Sequence, residues 1–420
     1  MNIYTIFRIS HWREKTLYPI ALLLALLVSA CGTETLPGRG QLVSQTELGT
    51  IPQALVSQMM QGYAPSGLRG LTATYDVKAY KVVYKTPDAD GNLVEASGLV
   101  TAPVKHTRTP SPVISLQHGT IFLDVPPSSL KGAAQSAPEV SYSDIAIMFA
   151  SQGYVVAAAD FVGYGDTNDL LHPFIHADTL ASTTVDMLRA TAAVATRNQI
   201  RLNGQLFLSG YSEGGFATLA AQRSLERDFP NVFPITASAA GAGPYDMTTT
   251  AMAIVASDLL PVPAYIGYVV KAYDSVYHLD RISAYFQEPY VDAINNSFDG
   301  SLTREQINAR LTYVTADLLD PVFRSEYLGG GEQDLKNAMA DNNLHDWVPL
   351  APTRLFHGPD DVSVPYFNTP IAVATMQAKG AKNVAGVNCD LGGLPTTHSN
   401  CFFPYFSYAN ALFGSMATDL

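Results

Sequence analysis

The fold is decided by residues 207–220, FLSGYSEGGFATLA, in which a short apolar run leads into a serine flanked by glycines. Gly210 and Gly214 stand two residues before and two residues after Ser212, and Gly215 follows directly. Glycine inside a strand or a helix costs conformational entropy, so these glycines indicate a geometric need. A strand that turns sharply into a helix folding back over it has this need, and such a turn exposes the serine at its tip.

Strand-like and helix-like patterns alternate on both sides of this turn. Apolar and polar residues alternate over 74–86 and 93–103 around the turn sequence DADGN, which predicts an antiparallel hairpin. Short apolar runs typical of buried strands occur at 112–119, 154–166, 205–210, 233–243, 353–358 and 382–388. Runs typical of helices occur at 143–153, 179–198 and 213–227, and from about Phe403 onward. This alternation predicts an α/β fold, with a mostly parallel central sheet and helices on both faces.

The composition is that of a globular protein with a large apolar core. Of the 420 residues, 47% are hydrophobic and 15% are charged, and the formal net charge is −12. No run of basic residues occurs outside the extreme N-terminus. Binding to a phosphate backbone needs clustered Lys and Arg, so the sequence argues against nucleic acid as a partner.

Residues 1–30 have the features of a secretory signal peptide. Basic residues precede a short apolar stretch, Leu17–Val28, which is too short for a comfortable membrane span. The sequence VSAC at 28–31 resembles the bacterial lipoprotein box, in which the cysteine is acylated and becomes the mature N-terminus. A plain cleavable signal with an incidental cysteine is the alternative. We expect an exported protein of the bacterial cell envelope, anchored to the membrane by lipid on Cys31, with residues 31–49 as a polar tether.

Ser212 needs a base and an orienting acid to act as a nucleophile. The stretch LFHGPDDVSVP, residues 355–365, supplies a carboxylate just after a predicted strand. Asp361 is preferred to its neighbour Asp360 because it falls in a G-x-x-D-x-x-V-P spacing. Of the nine histidines, His398 alone lies between the last predicted strand and the C-terminal helix. The order Ser, Asp, His matches the chain order expected of α/β-hydrolases.

Most other histidines precede the proposed acid in the chain, and we expect them to be structural or loop residues. They are His118, His172, His176, His278, His345 and His357. The stretch HPFIHAD offers His172, His176 and Asp178 as candidate metal ligands. Pro173 breaks the helix that would align the two histidines, so we expect no metal site.

Several motifs together resemble the α/β-hydrolase superfamily, namely GYSEGG, HGPDDVSVP and the late histidine. More narrowly, SLQHGT, ADFVGYGDT followed by HPFIHA, VDMLRA and SAAGAGPYDM resemble bacterial serine esterases related to the fungal secretory lipases of the lipase A type. The resemblance covers roughly residues 70–415 and is weakest between about 250 and 340. It implies an α/β-hydrolase fold and a carboxylic ester substrate, with no cofactor and no metal.

Backbone donors are needed for the oxyanion that forms during acyl transfer. The N–H of Glu213, at the start of the helix after the serine, is one candidate. Ordinary hydrolases take the second donor from the loop after an earlier strand, which here means Gly119 or Thr120. The secretory lipases that the chain resembles use an Asp at the end of the next strand, which matches Asp160. We prefer the loop, but Asp160 stays open as a donor or as a cap of the Gly-rich loop FVGYGD.

Cys389 and Cys401 remain once Cys31 is set aside, and both lie in the stretch NCDLGGLPTTHSNC. An even pair this close in an exported protein is expected to form a disulfide, with two free thiols as the alternative. The bridge would close a small loop that carries His398.

Residues 248–350 exceed what a single βα crossover needs. They contain several helical patterns and no clear strand, so we expect a helical cap or lid inserted into a hydrolase core formed by residues 50–247 and 351–420. The apolar stretch 259–270 could be the core of this cap or a wall for an acyl chain, and the two readings are compatible.

The function predicted from the sequence is that of a serine esterase or lipase. Ser212 attacks a carboxylic ester to form an acyl-enzyme, His398 moves the proton, and Asp361 orients the imidazole. A serine peptidase on the same fold would use the same residues, but no propeller-length segment precedes the core to screen substrates. A non-catalytic lipoprotein that kept the fold is the other alternative.

Overall fold

One sheet of nine strands runs through the computed structural model, which describes residues 38–106, 108–123 and 142–420. The strands are β1 Leu42–Ile51, β2 Val77–Pro87, β3 Leu93–Pro103, β4 Ser111–Gln117, β5 Val155–Ala159, β6 Leu202–Tyr211, β7 Ile235–Gly241, β8 Thr353–His357 and β9 Val384–Asn388. Their order across the sheet is β1-β2-β3-β5-β4-β6-β7-β8-β9. The pairings from β1 to β5 are antiparallel, and those from β5 to β9 are parallel. The predicted α/β fold with a mostly parallel sheet is confirmed.

Helices cover the sheet and fill the chain between β7 and β8. Before β7 they are α1 Gln53–Tyr63, α2 Tyr142–Ser151, α3 Ala177–Arg197 and α4 Glu213–Asp228. Between β7 and β8 they are α5 Met247–Ala256, α6 Pro263–Val276, α7 Ile282–Tyr285, α8 Tyr290–Asn295, α9 Arg304–Asn308, α10 Thr315–Leu318, α11 Pro321–Leu328 and α12 Gln333–Asp341. After β8 they are α13 Asn368–Ala378 and α14 Phe402–Gly414. Within the described part of the chain, none of the helices combines the length and the apolar character that crossing a membrane requires.

Each face of the sheet has its own apolar core, because successive strand residues point to opposite faces. Val113 of β4 packs in the cluster that includes α3 and α4, whereas the next residue, Ile114, packs in the cluster that includes α2 and α14. In β6, Leu206 and Leu208 belong to the first cluster and Phe207 to the second. Burial on both faces explains why these strands are continuous apolar runs rather than alternating ones.

Residues 42–49 correct the prediction of a polar tether over 31–49. They belong to β1, which pairs with β2 from Leu42 opposite Tyr84 to Ile51 opposite Val77. Most side chains of β1 are exposed, so this edge strand lacks the apolar alternation that signals a buried face. Its pairing uses the backbone, which explains how a polar segment forms a strand. The predicted signal peptide, Cys31 and the tether as far as residue 37 lie outside the described residues.

The segment between β7 and β8 is helical, and no strand of the sheet occurs in this fully described stretch. Isolated antiparallel bridges join Leu259 to Val314 and Phe286 to Leu319, and these bridges tie its short helices together. Contacts place the insertion in the same compact unit as the sheet, Gly38–Leu420. Its action as a cap or lid stays a prediction.

Candidate active site

Ser212 lies on the tight turn between β6 and α4, beyond the carboxyl end of a central strand. Its backbone has φ 63° and ψ −125°, a conformation that non-glycine residues rarely adopt. Such strain costs on the order of 1–3 kcal/mol and persists only where the surrounding structure imposes it. The Ser212 N–H donates to the Gly241 carbonyl at 2.8 Å, and the Phe216 N–H donates to the Ser212 carbonyl at 3.1 Å. These bonds fix the turn with the hydroxyl exposed at its tip.

The glycines around Ser212 allow backbone to pass directly against backbone. A Cβ on Gly210 would lie 2.3 Å from the carbonyl oxygen of Gly214. A Cβ on Gly214 would lie 2.2 Å from the carbonyl oxygen of Gln117, at the end of β4. Backbone atoms inside a packed sheet cannot move aside, so a larger residue at either position would force α4 away from the strands. This is the geometric need that the sequence pattern indicated.

Ser212, His398 and Asp361 are brought together in one hydrogen-bonded chain. Nε2 of His398 lies 2.9 Å from Oγ of Ser212, and its Nδ1 lies 2.5 Å from Oδ2 of Asp361. An ionised carboxylate can only accept, so Nδ1 carries a proton and Nε2 accepts from the serine hydroxyl. In this tautomer the imidazole is ready to take the serine proton.

Asp361 is buried and receives a donor on each side of its carboxylate. Its Oδ1 accepts the backbone N–H groups of Ser363 and Val364 at 2.9 and 3.0 Å. Burial raises the pKa of Asp361, but hydrogen bonds from His357 and His398 outweigh burial and lower that pKa to about 2. The carboxylate is therefore ionised at neutral pH.

Asp360, the alternative acid, faces elsewhere. Its carboxylate accepts the backbone N–H and the hydroxyl of Thr396, both at 2.9 Å. These two bonds lower the pKa of Asp360. This arrangement links the loop after β8 to the loop that carries His398, which makes Asp360 a loop-fixing residue.

The loop that carries His398 is held from two sides. Cys389 and Cys401 form a disulfide with a Cα–Cα distance of 6.0 Å, and both cysteines are buried. The hydroxyl of Tyr211, the residue before the serine, donates to the His398 carbonyl at 2.7 Å. The expected bridge is thus present, and it closes the segment that positions the histidine.

The candidate oxyanion donors differ in the contacts that they make. Thr120 and Glu213 line one cavity together with Ser212. Gly119 is also adjacent, since a Cβ built on it would lie 3.6 Å from the Ser212 Cβ. The carboxylate of Asp160 instead accepts the Ser97 hydroxyl at 2.5 Å and packs against Gly165 of the Gly-rich loop. The second donor therefore stays a prediction, and the contacts of the Asp160 carboxylate fit a cap of the Gly-rich loop.

His172, expected to be a structural or loop residue, is buried against the side chain of Glu213. Its Nδ1 lies 2.6 Å from the Val162 carbonyl and must donate to it, while Nε2 lies 2.6 Å from Oε1 of Glu213. This pair lies directly beside Ser212, because Glu213 is the next residue in the chain. The sequence around His172 does not indicate this contact, because the contact joins residues far apart in the chain.

The other candidate metal ligands do not converge with His172. His176 contacts the Thr179 hydroxyl through Nδ1 at 2.6 Å. Among the residues that the structure describes, no group of three or more His, Cys, Asp or Glu side chains is arranged to hold a metal ion.

An apolar cavity extends from Ser212 into the helical insertion. Its walls come mainly from α5, α6, α11 and α12, and include Met247, Ala251, Ile254, Tyr265, Ile266, Val269, Phe323, Tyr327, Leu335 and Met339. Of the apolar stretch 259–270, only the second half lines this cavity, because Leu259 is 64% exposed and Leu260 packs in the core. The site therefore combines a hydrogen-bonded serine with an apolar space of the kind that accepts a hydrocarbon chain.

Known proteins identify the family of this chain. The sequence profile of the family described as secretory lipase matches residues 131–390. The chain belongs to the secretory lipase family. This is a family of esterases and lipases with the α/β-hydrolase fold. No curated protein sequence is similar enough to count as a match.

Solved structures similar to this secretory lipase family member include a rice cell wall degrading esterase, LipA from Xanthomonas oryzae. It shares 25% sequence identity over 90% of this chain and 99% of that chain, with a TM-score of 0.79. A provisionally assigned hydrolase from Legionella pneumophila shares 27% identity over 89% of this chain and 98% of its own, with a TM-score of 0.79. Candida antarctica lipase A shares the fold, with 17% identity, 86% and 78% coverage and a TM-score of 0.62.

Proposed function

We propose that the protein is a serine carboxylic ester hydrolase that works through an acyl-enzyme. The observation that carries this proposal is the chain from Asp361 through His398 to Ser212, with contacts of 2.5 and 2.9 Å, at the end of an apolar cavity. Membership of the secretory lipase family supports the ester as the substrate class.

The reaction follows from the protonation states of these groups. Ser212 Oγ attacks the ester carbonyl while Nε2 of His398 takes its proton, and the ionised Asp361 stabilises the imidazolium. The tetrahedral oxyanion lies against the N–H of Glu213 and a backbone N–H of the Gly119–Thr120 loop. His398 then protonates the leaving alcohol, and water hydrolyses the acyl-enzyme by the same steps in reverse order.

Replacing the nucleophile tests the proposal. Ser212→Ala should abolish ester hydrolysis, with a loss on the order of a millionfold in kcat, because the acyl-enzyme cannot form. The fold should survive, since the substitution changes no core packing. Turnover of p-nitrophenyl esters measures the effect, and circular dichroism checks the fold. A panel of fluorogenic peptides tests whether the protein is instead a peptidase. Ester turnover within tenfold of the unmodified protein would contradict the assignment.

The helical insertion is proposed to act as a cap whose cavity takes the acyl chain. Each buried methylene contributes up to about 0.8 kcal/mol, so kcat/KM should rise several-fold for every two carbons until the cavity is full. We therefore expect medium-chain esters to be preferred to acetate, with a decline once the chain outgrows the cavity. A p-nitrophenyl ester series from acetate to palmitate measures this profile.

Ile266→Asp should reduce activity on medium chains far more than on acetate, because it places a charge in the apolar wall. Ser275→Asp is the matched control, since Ser275 lies on the same helix but is exposed to solvent. An equal loss on every chain length in Ile266→Asp would mean that the residue only supports the core of the cap.

Export and a lipid anchor on Cys31 complete the proposal. They rest on the signal-like residues 1–30 and the VSAC sequence, and secretion is in keeping with the family. Cys31→Ser should move the protein from the membrane fraction to the soluble fraction and abolish incorporation of radiolabelled palmitate. Equal palmitate incorporation in both proteins would rule out acylation at Cys31.

A further inference from the structure

A second histidine contacts the carboxylate that orients His398. His357, the last residue of β8, is fully buried, and its Nε2 lies 3.1 Å from Oδ2 of Asp361. The same oxygen accepts Nδ1–H of His398 at 2.5 Å. Two imidazoles therefore share one carboxylate oxygen, and His398 is the one that reaches Ser212.

The surroundings of His357 decide which of its nitrogens carries a proton. Nε2 also lies 3.1 Å from the Val364 carbonyl, and a carbonyl and an ionised carboxylate can only accept. Nε2 must therefore carry a hydrogen and donate. Nδ1 lies 2.9 Å from Oγ1 of Thr369, near the start of α13, whose hydroxyl can donate to it. A neutral imidazole with its proton on Nε2 satisfies all of these contacts.

Each of the two carboxylate oxygens of Asp361 thus accepts two hydrogen bonds. Backbone N–H groups of Ser363 and Val364 occupy Oδ1, and the two imidazoles occupy Oδ2. Burial raises the pKa of Asp361, and the bond from His357 is one of those that reverse this effect. Without His357, Oδ2 would keep one hydrogen bond from the described residues, namely the bond from His398.

We infer that His357 is a positioning residue, which donates from Nε2 to Oδ2 of Asp361 and so holds that oxygen in place as the acceptor for His398. It also withdraws negative charge from Oδ2, which weakens the pull of the carboxylate on the imidazolium of His398. His398 then releases its proton to the leaving alcohol more readily. The inference rests on the proposed function, because it concerns how Asp361 serves the triad.

Other titratable groups face this carboxylate and its partners. They are Tyr211 of β6, Tyr366 and Asp360, besides His357 of β8 and His398. Burial raises the pKa of Tyr211, and the charge of Asp361 raises it further. The ring of Tyr366 is edge-on to His357, and Asp360 is bonded to Thr396. Tyr211 and Tyr366 have their hydroxyls bonded to the His398 carbonyl and to Asn388. Both tyrosine hydroxyls are thus engaged away from the Asp361 carboxylate.

A matched pair of substitutions separates positioning from packing. His357→Met and His357→Gln are close in size, but only glutamine retains an N–H where Nε2 stands. In His357→Met, kcat should fall by about tenfold to a hundredfold while KM stays unchanged, by analogy with removal of a partner that orients a metal ligand. His357→Gln should recover most of the lost kcat.

The pH profile supplies a readout that a purely structural role would not move. Loss of the donor makes Oδ2 a stronger acceptor, so it binds the imidazolium more tightly. The acid limb of kcat/KM should therefore move to higher pH in His357→Met and return toward its original position in His357→Gln. Equal kcat and the same acid limb in the two variants would overturn the inference.

A measurement on the unmodified protein covers the case in which His357→Met does not fold. Nitrogen-15 NMR of labelled histidine at neutral pH should show His357 as the Nε2–H form. An Nδ1–H form of His357 would overturn the inference. If the Met and Gln variants match but Ser212→Ala remains inactive, the inference fails while the proposed function stands.

Discussion

The close packing of the turn around Ser212 against β4 and β7 is the constraint on which the rest of the site depends. Gly214 comes within reach of the Gln117 carbonyl, and Ser212 donates its N–H to Gly241, so the turn is fixed to the strands on both sides of β6. That packing imposes the strained backbone of Ser212 and places the Glu213 N–H and the loop after β4 next to one another. The nucleophile and its candidate oxyanion donors are therefore positioned by a single arrangement of three strands.

His398 and Asp361 are positioned by loops rather than by strands. A disulfide closes the His398 loop, and hydrogen bonds join that loop to the loop of Asp361. The disulfide from Cys389 to Cys401 closes the segment with His398, and Asp360 fastens that segment to the loop of Asp361 through Thr396. Asp361 itself is buried yet strongly acidic because donors surround it. A histidine outside the regular helices and strands thus acquires the fixed geometry that proton transfer needs.

Much of the fold could be predicted because its signals are local. A few residues are enough to recognise the glycines at 210 and 214, the buried runs of β4 to β8 and the amphipathic helix α3. β1 and α13 could not be found this way, since β1 pairs through its backbone with mostly exposed side chains, and α13 spreads its apolar residues around the helix.

The meeting of Ser212, Asp361 and His398 could be predicted because these residues stand in recognisable motifs in a fixed chain order. The contacts of His172 with Glu213 and of His357 with Asp361 could not, because a buried histidine has no local pattern that tells it from any other core residue.

The central claim is that Ser212 is a nucleophile activated by the folded site. Intact mass and peptide mapping after treatment with a fluorophosphonate test this claim directly, with heat-denatured protein as the control. The account predicts one adduct per folded chain, on Ser212, and none on the denatured chain. Loss of activity with no adduct, or with the adduct on another residue, would contradict it.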